Sequence, residues 1–273
     1  MRRTIGMLAI AASLTVAGCA KKTTVDDVVN KMTQSLGGVE KSASIQDQVS
    51  TWDSNAMVMM DGDSSMTMSG VMTITYKRPN KIKFETKDPD GNVGYLSVFD
   101  GTNGWFYVMG PTGPSLRDMS PAEIQETTSL AETWLDGWHG YAAKGLKLAL
   151  MSDSTMNGKA HHRIQVTDRF GNVSMNYCDA QTGLCARTEA DLTDAMTMQK
   201  AANVMTFTDY AAHDGWMMPQ KVASYDAKGN MAFELSLKDL KNNAGVADDA
   251  FAKPAPPAEH PSEHPTEHPA EKK

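Results

Sequence analysis

The stretch Met66-Thr67-Met68-Ser69-Gly70-Val71-Met72-Thr73-Ile74-Thr75-Tyr76-Lys77-Arg78-Pro79-Asn80 decides the fold. Met66, Met68, Met72, Ile74 and Tyr76 recur at every second position or a multiple of it. Thr67, Ser69, Thr73, Thr75 and Lys77 occupy the alternate positions. A period of two is that of an extended strand with one apolar face and one polar face. Arg78-Pro79-Asn80 then supplies turn chemistry.

The same period runs outward from about Gln46 to Met109. Ile82 and Phe84, Tyr95 and Phe99, then Trp105, Tyr107 and Met109 continue it. They are separated by the turn segments Asp88-Pro89-Asp90-Gly91 and Asp100-Gly101-Thr102-Asn103-Gly104. Such a run is an antiparallel meander. Ser120-Pro121-Ala122-Glu123 interrupts it with a capping box and a proline at the first helical position. Ile124, Ala131, Trp134, Leu135 and Trp138 make the apolar stripe of that helix. Further strands are expected around 146–150, 163–167, 173–177, 184–189, 203–210, 217–225 and 231–237. A short helix capped by Thr24 and ended by Gly37-Gly38 precedes the meander. About ten strands with few helices define a mainly β, α+β chain. Its sheet is strongly curved and antiparallel, an open, incomplete β-barrel with a few covering helices. The helix carrying Trp134 and Trp138 is the expected lid over the concave face.

The two ends read differently. Arg2 and Arg3 precede an apolar stretch from Ile5 to Val16, and Val16-Ala17-Gly18-Cys19 follows. This is a signal segment ending in a bacterial lipobox, because a membrane span needs about 20 apolar residues. Residues 1–18 are therefore expected to be cleaved. Cys19 would carry a thioether-linked diacylglycerol, and residues 19–23 would tether a barrel domain of residues 24–253. Residues 254–273 hold three Glu-His-Pro repeats, at Glu259-His260-Pro261, Glu263-His264-Pro265 and Glu267-His268-Pro269. They cannot form a core and read as an extended, disordered arm, either a solvated spacer or a weak collector of Zn or Ni.

The net charge of −7 becomes more negative once Arg2 and Arg3 are removed, which argues against nucleic acid or an anionic lipid surface as a partner. The 20 methionines suit either an ordinary core or an adaptable apolar surface. Cys178 and Cys185 flank the turn segment 179–184, where a hairpin would bring them opposite each other. An oxidising compartment favours a structural disulfide there over a redox motif or a metal site. No H-E-x-x-H, G-x-S-x-G or phosphate-cradling loop is present. His161-His162 would point to opposite faces, and the aspartate-rich turns lack the spacing of a calcium loop. No catalytic residue, metal or cofactor is expected.

Gly70 to Lys77-Arg78-Pro79-Asn80, then Ile82-x-Phe84, Asp88-Pro89, Asp100-Gly101 and Trp105-Phe106-Tyr107, resemble the Lol-type outer-membrane lipoprotein carriers and sorting proteins (LolA/LolB-like) in order and spacing. Asp179 through Leu184 resembles their D-x-x-T-G-L hairpin, and Asp248-Asp249-Ala250-Phe251 with Pro254 their closing segment. The resemblance spans about residues 25 to 256. It implies an open barrel whose apolar cavity takes lipoprotein acyl chains, with Arg78 as the latch of the lid. Counting by two from Met72 also places Arg78 on the apolar face; the alternative is a turn residue facing solvent. On this reading Met66, Met68, Met72, Ile74, Tyr76, Trp134 and Trp138 line the cavity. Lipidation, the hairpin cysteines and the His-Pro tail depart from the family pattern.

The expected protein is thus anchored through Cys19, facing the periplasm from the outer membrane. It binds acyl chains of lipoproteins or lipids in their transport or sorting. The alternative is a non-enzymatic envelope interaction or sensing module with a self-filled core and a protein partner.

Overall fold

The computed structural model describes residues 22–59, 65–110, 113–193 and 199–255. The signal segment, Cys19 and the Glu-His-Pro repeats lie outside the described residues.

Sixteen strands appear among them, more than the ten expected, because several short ones flank the long ones. They are β1 (Asp47–Met59), β2 (Ser65–Lys77), β3 (Lys81–Lys87), β4 (Val93–Phe99), β5 (Gly104–Gly110) and β6 (Gly113–Asp118) in the first half. The second half has β7 (Lys147–Leu150), β8 (Ser154–Met156), β9 (Lys159–Thr167), β10 (Val173–Asp179) and β11 (Cys185–Thr193). It ends with β12 (Lys200–Thr208), β13 (Ala211–His213), β14 (Trp216–Met218), β15 (Lys221–Asp226) and β16 (Met231–Asn242). The main sheet runs β6-β5-β4-β3-β2-β1-β16-β15-β12-β11-β10-β9-β7, with β8 paired to β9. The pairings are antiparallel, and the sheet does not close between β6 and β7. The fold is therefore the expected open, curved barrel.

Three hairpins end in one five-residue turn. Asp88, Asp168 and Asp226 each accept from the backbone N–H and the side-chain amide of the asparagine four residues on. Gly91, Gly171 and Gly229 supply the positive φ between them. These aspartates are turn devices.

The helices are α1 (Val25–Leu36), α2 (Gly38–Ser44) and α3 (Pro121–Thr133). Capping boxes start α1 at Thr24 and α3 at Ser120, as the sequence implied. The glycine pair was expected to end the first helix. Gly37, at φ 129°, does end α1 as its C-cap, and the chain then turns directly into α2. α3 is shorter than its stripe suggested. Trp134 is its C-cap, and residues 134–145 continue as turns that carry Trp138.

Two apolar clusters result. The larger joins Trp52, Ile74, Tyr76, Ile82, Phe99, Val222 and Leu235 of the sheet to Ala131, Leu135 and Trp216 above it. Met72, Phe84 and Trp134 pack against it. The smaller joins Val28 of α1 to Ile164, Val166 and Cys178.

Candidate functional site

The inner sheet face and the helical segments above it form the candidate site. Arg78 stands just past β2, where the alternation aimed it inward. Its Nε donates to the Ile45 carbonyl at 2.8 Å, and Nη2 donates to the Ser42 carbonyl at 3.0 Å. Nη1 and Nη2 donate to the two carboxylate oxygens of Asp136 at 3.0 and 2.7 Å. One guanidinium thereby ties the end of α2 to the segment after α3, using the planar fork that lysine lacks. The Ser42 hydroxyl also donates to Asp136, and Lys144 Nζ lies 3.9 Å from it. The hydrogen bonds from Arg78 outweigh desolvation and hold the Asp136 carboxyl at about 2.

Beneath this clamp, Tyr76 stacks on Trp134 at 6.4 Å, and Phe84 meets the same indole edge-on at 6.2 Å. Trp134 Nε1 donates to Gln48 Oε1 at 3.1 Å, and Gln48 donates to Asn242 at 2.9 Å. Burial pushes the Tyr76 hydroxyl up to about 12, and it donates to the Pro79 carbonyl. A cavity of about 210 Å³ remains beside Arg78, among Leu36, Val39, Ser42, Leu135, His139 and Trp216. Ligand pockets hold roughly 300–1,000 Å³. Leu135 and Trp216 are buried in the cluster on the inner sheet face, and Trp134 packs against it.

Of the expected cavity residues, Met72, Ile74, Tyr76 and Trp134 meet in the large cluster. Three others are corrected. Met66 and Met68 are 47% and 49% exposed. β3 pairs with β2 only over Val71–Lys77, so the outer half of the β1–β2 hairpin projects beyond that neighbour. At Gly70 the Lys87 carbonyl crosses so closely that a Cβ would collide with it. Trp138 packs on the smaller cluster, because the chain turns away after Trp134. The cysteines stand opposite each other in register but are unbonded thiols. The Cys185 sulfur instead faces the Arg187 carbonyl and the Thr188 hydroxyl at 3.4 Å.

Asp136, Ser42 and Gln48 escaped the sequence reading. Asp136 had one local signal, an acid beside Gly137 between the stripe residues Leu135 and Trp138. Among the described residues no three His, Cys, Asp or Glu side chains are placed to hold a metal ion.

No family profile and no curated protein matches the sequence. Solved structures do match. A LolA superfamily protein from Nitrosomonas europaea aligns with a TM-score of 0.54 at 12% identity, over 85% of this chain and 99% of that one. A DUF1329 family protein from Desulfovibrio piger gives 0.53 at 12%, over 84% and 97%. A domain assigned as an outer membrane lipoprotein-sorting protein from Vibrio parahaemolyticus gives 0.51 at 14%, over 82% and 97%. The fold is LolA-like.

Proposed function

We propose that this chain is a lipid-anchored envelope protein that binds acyl chains of lipoproteins or lipids, without catalysis, during their transport or sorting to the outer membrane. The four-point clamp of Arg78 on Ser42, Ile45 and Asp136 carries the reading. It fastens two lid segments over an aromatic floor through one polar centre. An apolar chain inserted between lid and floor would gain roughly 25 cal/mol per Å² of buried surface. That gain has to offset the broken clamp and the displaced Trp134, so closed and loaded states lie close in energy.

A second reading has its own support, the packing of Trp134, Leu135 and Trp216 on the inner sheet face. There the lid stays shut, and the molecule recruits or senses an envelope protein. Native mass spectrometry of gently purified protein separates the two. Co-purifying lipid, lost when Met72 is replaced by Glu, supports the first; an empty chain supports the second. For the anchor, Cys19→Ser should release the protein from membranes, and continued partition with them would contradict lipidation.

A further inference from the structure

We propose that Met66 and Met68 form a surface site for a soft monovalent cation, Cu(I). This inference is independent of the acyl-chain reading. Beyond Gly70 β2 has lost its neighbour β3, although β1 stays paired to β16 as far as Ala56, and both methionines project from one face of that free edge. Residues two apart in a strand lie about 6.6 Å apart on the same face. Methionine is unbranched with three rotatable bonds, so both sulfurs can converge on one ion above Thr67.

The surroundings favour this use. The register partners of Met66 and Met68 are Val58 and Ala56, residue types with no ligand atom. Met57, on the opposite face, is already engaged, its sulfur accepting from the Thr67 hydroxyl at 3.3 Å. Met72, Met205 and Met218 are committed to the large cluster. Met231 begins β16 at the same end of the sheet, two residues from Phe233, the partner of Ala56. It can supply a third thioether. Met66 and Met68 are 47% and 49% exposed, so both side chains are open to solvent. Thioether sulfur is a soft donor that selects Cu(I) over Zn, Ca or Mg.

The test uses full-length protein with 13C-labelled methionine methyl groups. Ag(I) is the redox-inert probe, followed by anaerobic Cu(I) competed against bicinchoninate. The methyl signals of Met66 and Met68 should shift together and saturate at one cation per chain, with Met72 unmoved. Zn(II) and Ca(II) should leave them in place. The double substitution Met66→Leu with Met68→Leu keeps the apolar surface and should abolish both the saturation and the Cu(I) competition. Unmoved Met66 and Met68 methyls, shifts that never saturate, or Cu(I) competition unchanged in the double variant would overturn the proposal. Cation capture confined to the cysteines or the histidine repeats would appear as the first of these.

Discussion

Arg78 and Asp136, 58 positions apart in sequence, are joined by two charge-assisted hydrogen bonds of 2.7 and 3.0 Å. Both groups are half-buried, so each is only partly hydrated if the other is removed.

Arg78→Leu should therefore loosen the lid. The loss of several charge-assisted bonds costs about 1–3 kcal/mol each way the pair is broken. In a domain of this size, about 1 kcal/mol corresponds to a fall of roughly 2–4 °C in Tm. Amide exchange should rise in α2 and in residues 134–145 more than in β9 and β10. A cycle with Asp136→Leu should show strong non-additivity. Additive effects would mean that the clamp contributes nothing.

Acid should open the same clamp. The Asp136 carboxyl titrates at about 2 in the fold, against its ordinary 3.8. A depressed carboxyl pKa contributes stability that is present above the ordinary value and lost as pH falls through the folded one. Trp134 emission should change between about pH 4 and pH 2. Asp136→Asn should remove that transition, and an identical acid transition in this variant would contradict the assignment.

Gly183 tests how α1 is held. The turn 179–184 cradles that helix: Lys31 donates to the Ala180 carbonyl at 2.8 Å and Ser35 to the Thr182 carbonyl at 2.5 Å. Gly183 has φ +77°, and a Cβ there would sit 2.7 Å from the Met32 backbone nitrogen. Gly183→Ala should destabilise by about 1–3 kcal/mol and expose α1 to proteolysis before the sheet opens. Unaltered protection of α1 would show that the contact is slack.

The cysteine pair should be oxidised in protein taken from an oxidising compartment, since register already places Cys178 opposite Cys185. Burial raises both thiols, so alkylation has to follow denaturation. Alkylation without reductant should then find neither thiol free. Two labelled cysteines would show that the unbonded arrangement persists.

The alternation in residues 66–76 was enough to set the face of β2, its neighbours and the open antiparallel barrel. It also aimed Arg78 inward. What it could not show was how far adjacent strands extend, and so Met66 and Met68 were assigned to a wall that ends at Val71. Gly37 was read as a stop and does end α1, but no apolar pattern after it announced the second helix that begins at Gly38. Asp136 was hidden because its partner lies across the barrel, and no local pattern encodes such a contact. Trp138 shared the helical period of Trp134, but the helix ended between them.

The central claim is that an acyl chain lies between the sheet and the lid. A fatty acid bearing a photoreactive diazirine on its tail, illuminated with the purified protein and mapped by peptide mass spectrometry, tests it directly. The account predicts labelling on Met72, Phe84 and Trp134, suppressed by unlabelled palmitate and relocated or lost in Met72→Glu. Labelling confined to exposed residues such as Val39 or Leu130, insensitive to competitor, would contradict it.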